Sequence, residues 1–189
     1  MKVKLHLLLL IFTGISLSTS AQVISCDPVF PLASEPVVIT FNADRGDMGL
    51  KDYIGDDVYA YTGVITDQSN GAWAYVLQSS WTDFVPKAKL TKVSANVYTL
   101  TITPSIREFY GVPAGEQIQK LAFVFRNSTG TRTGRDVGGA DIFYSVSEEA
   151  AFEILLSQPD RYTSLVNPGE EIPVQASASV CDSIILLQN

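Results

Sequence analysis

Aromatic residues at short spacing carry the clearest binding chemistry in this 189-residue sequence. Trp73, Tyr75 and Trp81 lie in or beside the stretch 68–82, which is rich in Gly, Ser and Asn. An exposed ring binds a sugar by stacking on its apolar face, while nearby polar groups orient the hydroxyls. In a strand, Trp73 and Tyr75 would share one face. If that face is exposed, the two rings can bind a ligand, and if it faces inward, they pack into a core. The same two interpretations apply to Trp81, which lies nearer a loop.

Tyr59 and Tyr61 form a second pair with the same alternation, between the smaller residues Val58, Ala60 and Thr62. If the smaller set faces a core, the two tyrosines point outward, where they suit a glycan. The alternative is a cross-strand aromatic pair that stabilises a sheet by about 0.2–1 kcal/mol.

Polar partners for a sugar are expected in the glycine-rich hairpin 130–141. Its glycines supply positive φ at turns, and no helix follows that would make the loop a phosphate site. Arg135 and Asp136 are the candidates for hydrogen bonds to sugar hydroxyls. The aspartates in the loop 44–57 lack EF-hand spacing and are interpreted as solvated turn residues rather than Ca²⁺ ligands. We expect no metal and no cofactor.

The histidine content excludes several enzyme classes. The single histidine, His6, lies in a predicted signal peptide, so the mature chain would have none. Ser-His-Asp and Cys-His catalysis, His-ligated zinc and a histidine base all require that side chain. Paired carboxylates could still hydrolyse glycosides, but they need a cleft with one raised pKa, and the acidic residues here lie mostly in turns. We therefore predict that this chain is not an enzyme.

An export signal is predicted at residues 1–21. Lys2 and Lys4 precede an apolar stretch that gives way to small polar residues ending at Ala21. Cleavage after Ala21 is the first interpretation. The alternative is lipidation of Cys26, because residues 23–26 have the residue types of a lipoprotein box. The only other cysteine, Cys181, lies 155 residues away, and two cysteines so placed make no disulfide framework, although an oxidising compartment leaves a single disulfide open.

The charge indicates the class of partner. Without the signal peptide, 11 basic residues face 20 acidic ones, a net charge of −9. Such a surface repels nucleic acid and anionic lipid. With no later transmembrane segment expected, the pattern favours a neutral ligand.

Short β-rich runs with turn signals between them dominate the central sequence. They lie at 37–41, 57–66, 73–77, 88–93, 97–103, 120–126 and 141–146. Seven such runs without a long helical period predict an all-β, antiparallel, immunoglobulin-like β-sandwich over 22–147. One helical turn is expected at 104–110, where Ser105 and Glu108 have capping-box spacing.

A second domain is expected to begin after the polar joint at 147–149. Four further strand-like runs lie between 151 and 187. About 40 residues are too few for a sandwich of roughly 100, so residues 148–189 are interpreted as the truncated start of a second sandwich.

Several strings carry a family resemblance: GLKDY at 49–53, DVYAYTGVIT at 57–66, PSIREFYGVP at 104–113 and KLAFVFR at 120–126. Together they resemble the N-terminal β-sandwich, similar to carbohydrate-binding modules, of secreted α-amylase-type glycoside hydrolases and starch-binding outer-membrane proteins of Gram-negative bacteria. The resemblance covers about 22–147. It implies a secreted or cell-surface location and a non-catalytic role in binding an α-glucan. A spacer that presents a downstream hydrolase, or a surface starch-binding lipoprotein, are the alternatives.

Overall fold

The fold is known from a computed structural model, which describes residues 22–150, 152–158, 169, 171, 174–179 and 185. The predicted signal peptide and most of the predicted second domain lie outside these residues. The described strands are β1 (Ile24–Asp27), β2 (Val37–Asn42), β3 (Val58–Thr66), β4 (Thr91–Ser94), β5 (Val97–Ile102), β6 (Ile118–Asn127), β7 (Thr133–Gly134), β8 (Ile142–Ser145), β9 (Ile154–Gln158) and β10 (Gln175–Ala178). One short helix, α1 (Ile106–Tyr110), lies between β5 and β6.

The strands form antiparallel sheets, which confirms the predicted all-β fold. The first sheet has the order β1-β2-β5-β4. The second has the order β3-β6-β7, and β8 also pairs with β6. Strands β9 and β10 pair with each other in a separate two-stranded sheet. The immunoglobulin-like topology and the domain boundary near residue 147 stay predictions.

Five of the seven predicted runs are strands with nearly the predicted bounds, and two differ. Residues 86–88 form a 3-10 turn, so β4 begins only at Thr91. The run 73–77 is not a strand, because Tyr75 has φ of 49° and interrupts the extended chain. It makes a single bridge, between Ala74 and Val64.

Ser105 caps the start of α1 as its spacing from Glu108 predicts, although the Glu108 carboxylate bonds to the Ser105 hydroxyl rather than to the Ser105 backbone N–H. The Ser105 hydroxyl accepts a hydrogen bond from the Glu108 backbone N–H at 3.1 Å and donates to the Glu108 carboxylate at 3.3 Å. Gly111, with φ of 73°, ends the helix in the left-handed conformation that glycine adopts without strain. Among the described residues, no helix has the length and apolar character needed to cross a membrane.

The inward faces of the two sheets meet at an aromatic stack. Phe41 of β2 and Phe125 of β6 are fully buried, with ring centroids 4.1 Å apart. Phe123 continues the stack at 5.6 Å from Phe125. Gly134 gives Phe41 its space, because a Cβ at that position would lie 2.5 Å from the Phe41 ring. The packing of the two sheets therefore depends on these rings.

Replacing Phe41 with Ala should destabilise the chain by about 3–5 kcal/mol, because a buried ring leaves a cavity that the sheets cannot fill. Urea unfolding followed by far-UV circular dichroism measures the free energy of unfolding. Val93→Ala is the matched control, since that side chain is 62% exposed and should change stability by less than about 0.5 kcal/mol. Equal effects of the two changes would contradict the assigned core.

Asp57 links the loop before β3 to the turn after β6. Its carboxylate accepts a hydrogen bond from the Tyr53 hydroxyl at 2.6 Å and others from the Ser128 backbone N–H, at 3.1 Å, and hydroxyl. The hydrogen bonds from Ser128 and then Tyr53 lower the pKa of Asp57 to about 2. In the described part of the chain, no group of three or more His, Cys, Asp or Glu side chains could hold a metal ion.

The lowered pKa of Asp57 gives the stability a defined pH dependence. The hydrogen-bonded carboxylate stabilises the fold above its unfolded pKa of about 4, and this stabilisation is lost as the pH falls through the folded pKa of about 2. The melting temperature of the unmodified chain should exceed that of Asp57→Asn at pH 6, and the difference should shrink toward pH 2. Asp56→Asn is the control, because that exposed neighbour has no such partners among the described residues. A difference independent of pH would contradict the assignment.

Candidate functional site

The pairing of β3 with β6 determines which side chains lie on the outer face of the second sheet. In β3, Val58, Ala60 and Thr62 are buried, and Tyr59 and Tyr61 alternate with them on the opposite face. This confirms the predicted alternation of the strand. Across the sheet, Tyr59 is paired with Arg126 and Tyr61 with Val124. In the next row Gly63 is paired with Ala122, which is paired in turn with Phe143 of β8.

The segment 73–84 folds along the free edge of β3 and over this outer face. Ala74 and Val64 exchange backbone hydrogen bonds of 2.8 and 2.9 Å. Further along the segment, the buried Gln78 side chain bonds to the backbone of β3 as a neighbouring strand would. It donates to the Ala60 carbonyl at 2.8 Å and accepts from the Thr62 N–H at 3.2 Å. Gly63 permits the approach, since a Cβ there would lie 2.8 Å from the Ala74 carbonyl oxygen.

An open groove of about 380 Å³ results between this segment and the sheet. Its lining consists of Tyr61, Trp73, Val76, Trp81, Val124, Arg135 and Asp141. The Tyr61 ring lies between the two indoles, with its centroid 6.0 Å from that of Trp73 and 5.3 Å from that of Trp81. The rings are tilted by 36° and 48° to Tyr61, so the apolar surface is curved rather than flat. Trp81 is 37% exposed.

A polar pair completes the lining of the groove. The Arg135 guanidinium donates to the Asp141 carboxylate at 2.6 Å, and both side chains are about one-third exposed. The backbone N–H of Arg135 is fixed by the Asp47 carboxylate at 2.9 Å. The groove therefore combines apolar rings with hydrogen-bond donors and acceptors whose charges cancel.

Four of the predicted binding residues meet in the groove: Tyr61, Trp73, Trp81 and Arg135. Tyr59 is on the same face but packs edge-on against Phe84, at 5.3 Å between centroids. Phe84 lies outside the strands, so this contact is not the cross-strand aromatic pair of the alternative interpretation.

Tyr75 is not brought to the groove, because its positive φ breaks the strand alternation that placed it beside Trp73. Its ring packs against the core, and its hydroxyl donates to the buried Glu116 carboxylate at 2.5 Å. This hydrogen bond is the main cause of the raised pKa of Tyr75.

Asp136 is also absent from the lining. Its carboxylate accepts a hydrogen bond at 2.7 Å from the backbone N–H of Val137 and caps a short 3-10 turn, Val137–Gly139. Asp141, five residues further on in the same hairpin, takes the position beside Arg135. The local sequence does not indicate which of the two aspartates pairs with Arg135, since that depends on how the hairpin closes.

Arg126 is the residue that sequence reasoning missed. It is fully buried beneath the segment 73–84. Its guanidinium carbon lies 4.2 Å from the Phe84 ring centroid, 4.7 Å from that of Trp81 and 5.5 Å from that of Tyr61. It donates to the backbone carbonyls of Trp81 and Asp83, the latter at 2.6 Å. Burial lowers the pKa of Arg126. The signal in the sequence that could have identified Arg126 is its position directly after the apolar run 121–125.

Cys26 lies in β1 and faces the core, where it is 4% exposed. Burial, and secondarily the charge of Asp27, raise the pKa of its thiol to about 12. Val23 and Ile24 are also buried, and the Val23 carbonyl accepts a hydrogen bond from Asn42 at 2.9 Å. Cleavage before Cys26 would remove these core residues, and a lipid on its sulfur would need space inside the core. The geometry therefore argues against lipidation at this residue.

The Cys26 thiol should be unreactive in the folded chain. At pH 8 only about 10⁻⁴ of a thiol with such a pKa is ionised, and the sulfur is also shielded from reagents. In a Cys181→Ser variant, iodoacetamide should leave Cys26 unmodified under native conditions and alkylate it in urea, as measured by intact mass. Rapid native alkylation would contradict the burial, and a thiol still blocked in urea would support lipidation.

The comparison with known families bears on the region that holds most of the groove. Residues 24–133 match the sequence profile of a family described as a domain of unknown function, DUF8578. No curated protein matches the chain. The match includes Tyr61, Trp73 and Trp81 and ends before Arg135 and Asp141. Because it covers more than half of the 189 residues, the chain belongs to the DUF8578 family.

Proposed function

We propose that the aromatic groove binds a neutral polysaccharide, and that the chain is a non-catalytic accessory module of an exported polysaccharide-degrading protein. The observation that carries the proposal is the convergence of Trp73, Tyr61 and Trp81 around one open groove with the Arg135–Asp141 pair in its lining. An α-glucan is the proposed ligand class, in line with the family resemblance of the sequence.

The aromatic surface supplies the apolar half of sugar recognition. Each pyranose has a face of C–H groups that packs on an indole or phenol ring, and the burial of this face is favourable in water. Trp73 and Trp81 are each tilted to Tyr61 by tens of degrees, and such a curved surface fits a curved chain better than a flat one. α-1,4-linked glucans curve, whereas β-1,4-linked glucans extend as flat ribbons.

The polar groups of the groove favour a ligand without charge. Because Arg135 is already paired with Asp141 at 2.6 Å, the groove lining formed by the described residues presents hydrogen-bonding groups without an exposed, unpaired cation to attract an acidic sugar. The acidic balance of the whole sequence, 20 acidic against 13 basic residues, opposes anionic glycans further. Hydroxyl groups can both donate to Asp141 and accept from Arg135.

Binding rather than hydrolysis is proposed because glycosidases use two carboxyl groups about 5–9 Å apart. In the described part of the chain, Asp141 is the carboxylate that lines the groove, and it is engaged in an ion pair.

Calorimetric titration of the chain with maltoheptaose, together with retention on insoluble starch, tests the proposal. Cellohexaose and polygalacturonate are the comparison ligands, because they are a flat neutral glycan and an anionic one. Binding of maltoheptaose alone supports the proposal. No binding of any of these glycans at millimolar concentration would contradict it in favour of the spacer.

Trp81→Ala should weaken maltoheptaose binding about tenfold or more, a loss of about 1–3 kcal/mol, because one aromatic anchor often dominates a small site. The loss of stability should remain below the roughly 3–5 kcal/mol of a fully buried ring, since Trp81 is 37% exposed. Phe152→Ala is the matched control, because that ring is 65% exposed and does not line the groove. Equal affinity of Trp81→Ala and the unmodified chain would exclude Trp81 from the site.

A further inference from the structure

Trp81 is at the tip of a turn that closes on itself. The Asp83 carboxylate accepts hydrogen bonds from the Ser79 backbone N–H at 2.9 Å and from its hydroxyl at 3.0 Å. The Asp83 N–H in turn donates to the Ser80 carbonyl at 3.1 Å. These bonds give the turn 79–83 its own shape, but they do not hold it on the sheet.

Arg126 makes the connection between this turn and the sheet. In the part of the chain that the structure describes, the hydrogen bonds joining residues 79–83 to the second sheet are the two from the Arg126 guanidinium to the carbonyls of Trp81 and Asp83. The same guanidinium lies between the rings of Phe84, Trp81 and Tyr61. A planar cation with five donors can stack on rings and bond to two carbonyls at once, which a lysine ammonium cannot reproduce.

The turn after β6 also constrains the Trp81 ring. Gly130, in the turn after β6, has φ of 66°, and a Cβ there would lie 2.7 Å from the Trp81 indole nitrogen. The indole is therefore held between the β6–β7 turn and the groove, and its backbone position is set from below by Arg126.

We propose that Arg126 is a positioning residue, whose guanidinium holds the turn 79–83 on the outer face of the sheet so that the Trp81 ring faces the groove. The effect on Trp81 does not depend on any ligand. The effect on binding rests on the proposed function of the groove.

An arginine that holds a different segment provides the control. Arg107 of α1 also donates to two backbone carbonyls, those of Pro113 at 2.6 Å and Glu116 at 2.8 Å, and it forms an ion pair with Glu148 at 2.5 Å. It does not line the groove, and these partners lie outside the two turns that contact Trp81. Arg107→Met therefore removes similar interactions without changing a residue beside Trp81.

The first experiment uses fluorescence without ligand. The sequence has two tryptophans, so in a Trp73→Phe background the emission comes from Trp81 alone. In this background Arg126→Met should shift the emission to longer wavelength and raise acrylamide quenching toward the value of the unfolded chain, with a smaller change for Arg126→Lys. Arg107→Met should leave both unchanged. Spectra are taken below the melting transition of each variant, so the Lys variant decides the matter if the Met variant does not fold. Unchanged Trp81 emission in the folded Arg126 variants would overturn the proposal.

The second experiment is a double-mutant cycle with maltoheptaose. Arg126→Lys should weaken binding about tenfold in the unmodified chain and have almost no further effect in Trp81→Ala, because the two changes remove the same anchor. Equal losses in both backgrounds would show that Arg126 acts on the fold in general and would overturn the proposal. If the unmodified chain binds no glucan, the proposed function fails, while the fluorescence result still decides the role of Arg126.

Discussion

Strands β3 and β6 pair antiparallel over nine residues of β3, and this register determines both faces of the second sheet. On the inner face it brings Phe123 and Phe125 to the stack with Phe41. On the outer face it places Tyr61 beside Val124 and Tyr59 beside Arg126. Because side chains alternate with a period of two, a slip of one residue would put Tyr59 and Tyr61 on the same face as Phe123 and Phe125. The core and the groove are therefore fixed by the same hydrogen-bonded ladder.

The buried guanidinium of Arg126 is the costly element of this arrangement. A cation removed from water must be compensated by partners, and here these are two carbonyls and three aromatic rings rather than a carboxylate. Its Nε has no hydrogen-bond partner within the described structure. An aliphatic side chain could fill similar space, but it would not bind the carbonyls of a turn that has no strand to pair with. Burying Arg126 therefore costs free energy, but the same side chain holds the irregular turn 79–83 on the sheet.

Irregular segments bring the candidate binding residues together, while regular strands hold them. Trp73, Val76 and Trp81 lie outside the strands, and Arg135 and Asp141 flank the 3-10 turn after β7. Tyr61 and Val124 lie on the two central strands beneath them. This division is common in binding proteins, because loops tolerate varied side chains when a rigid sheet determines where they begin and end.

The sequence by itself determined the antiparallel all-β fold, the alternation of β3 and the cap of α1. These features depend on neighbours a few residues apart, through the period of two in a strand or the spacing of Ser105 and Glu108. Only the tertiary structure decided that Tyr75 turns to Glu116, that Asp141 rather than Asp136 pairs with Arg135, and that Cys26 is buried in the core. It also placed Arg126 beneath Trp81. These outcomes depend on a left-handed φ, a hairpin closure and contacts between residues about 40 or more positions apart, which no local pattern of residue types encodes.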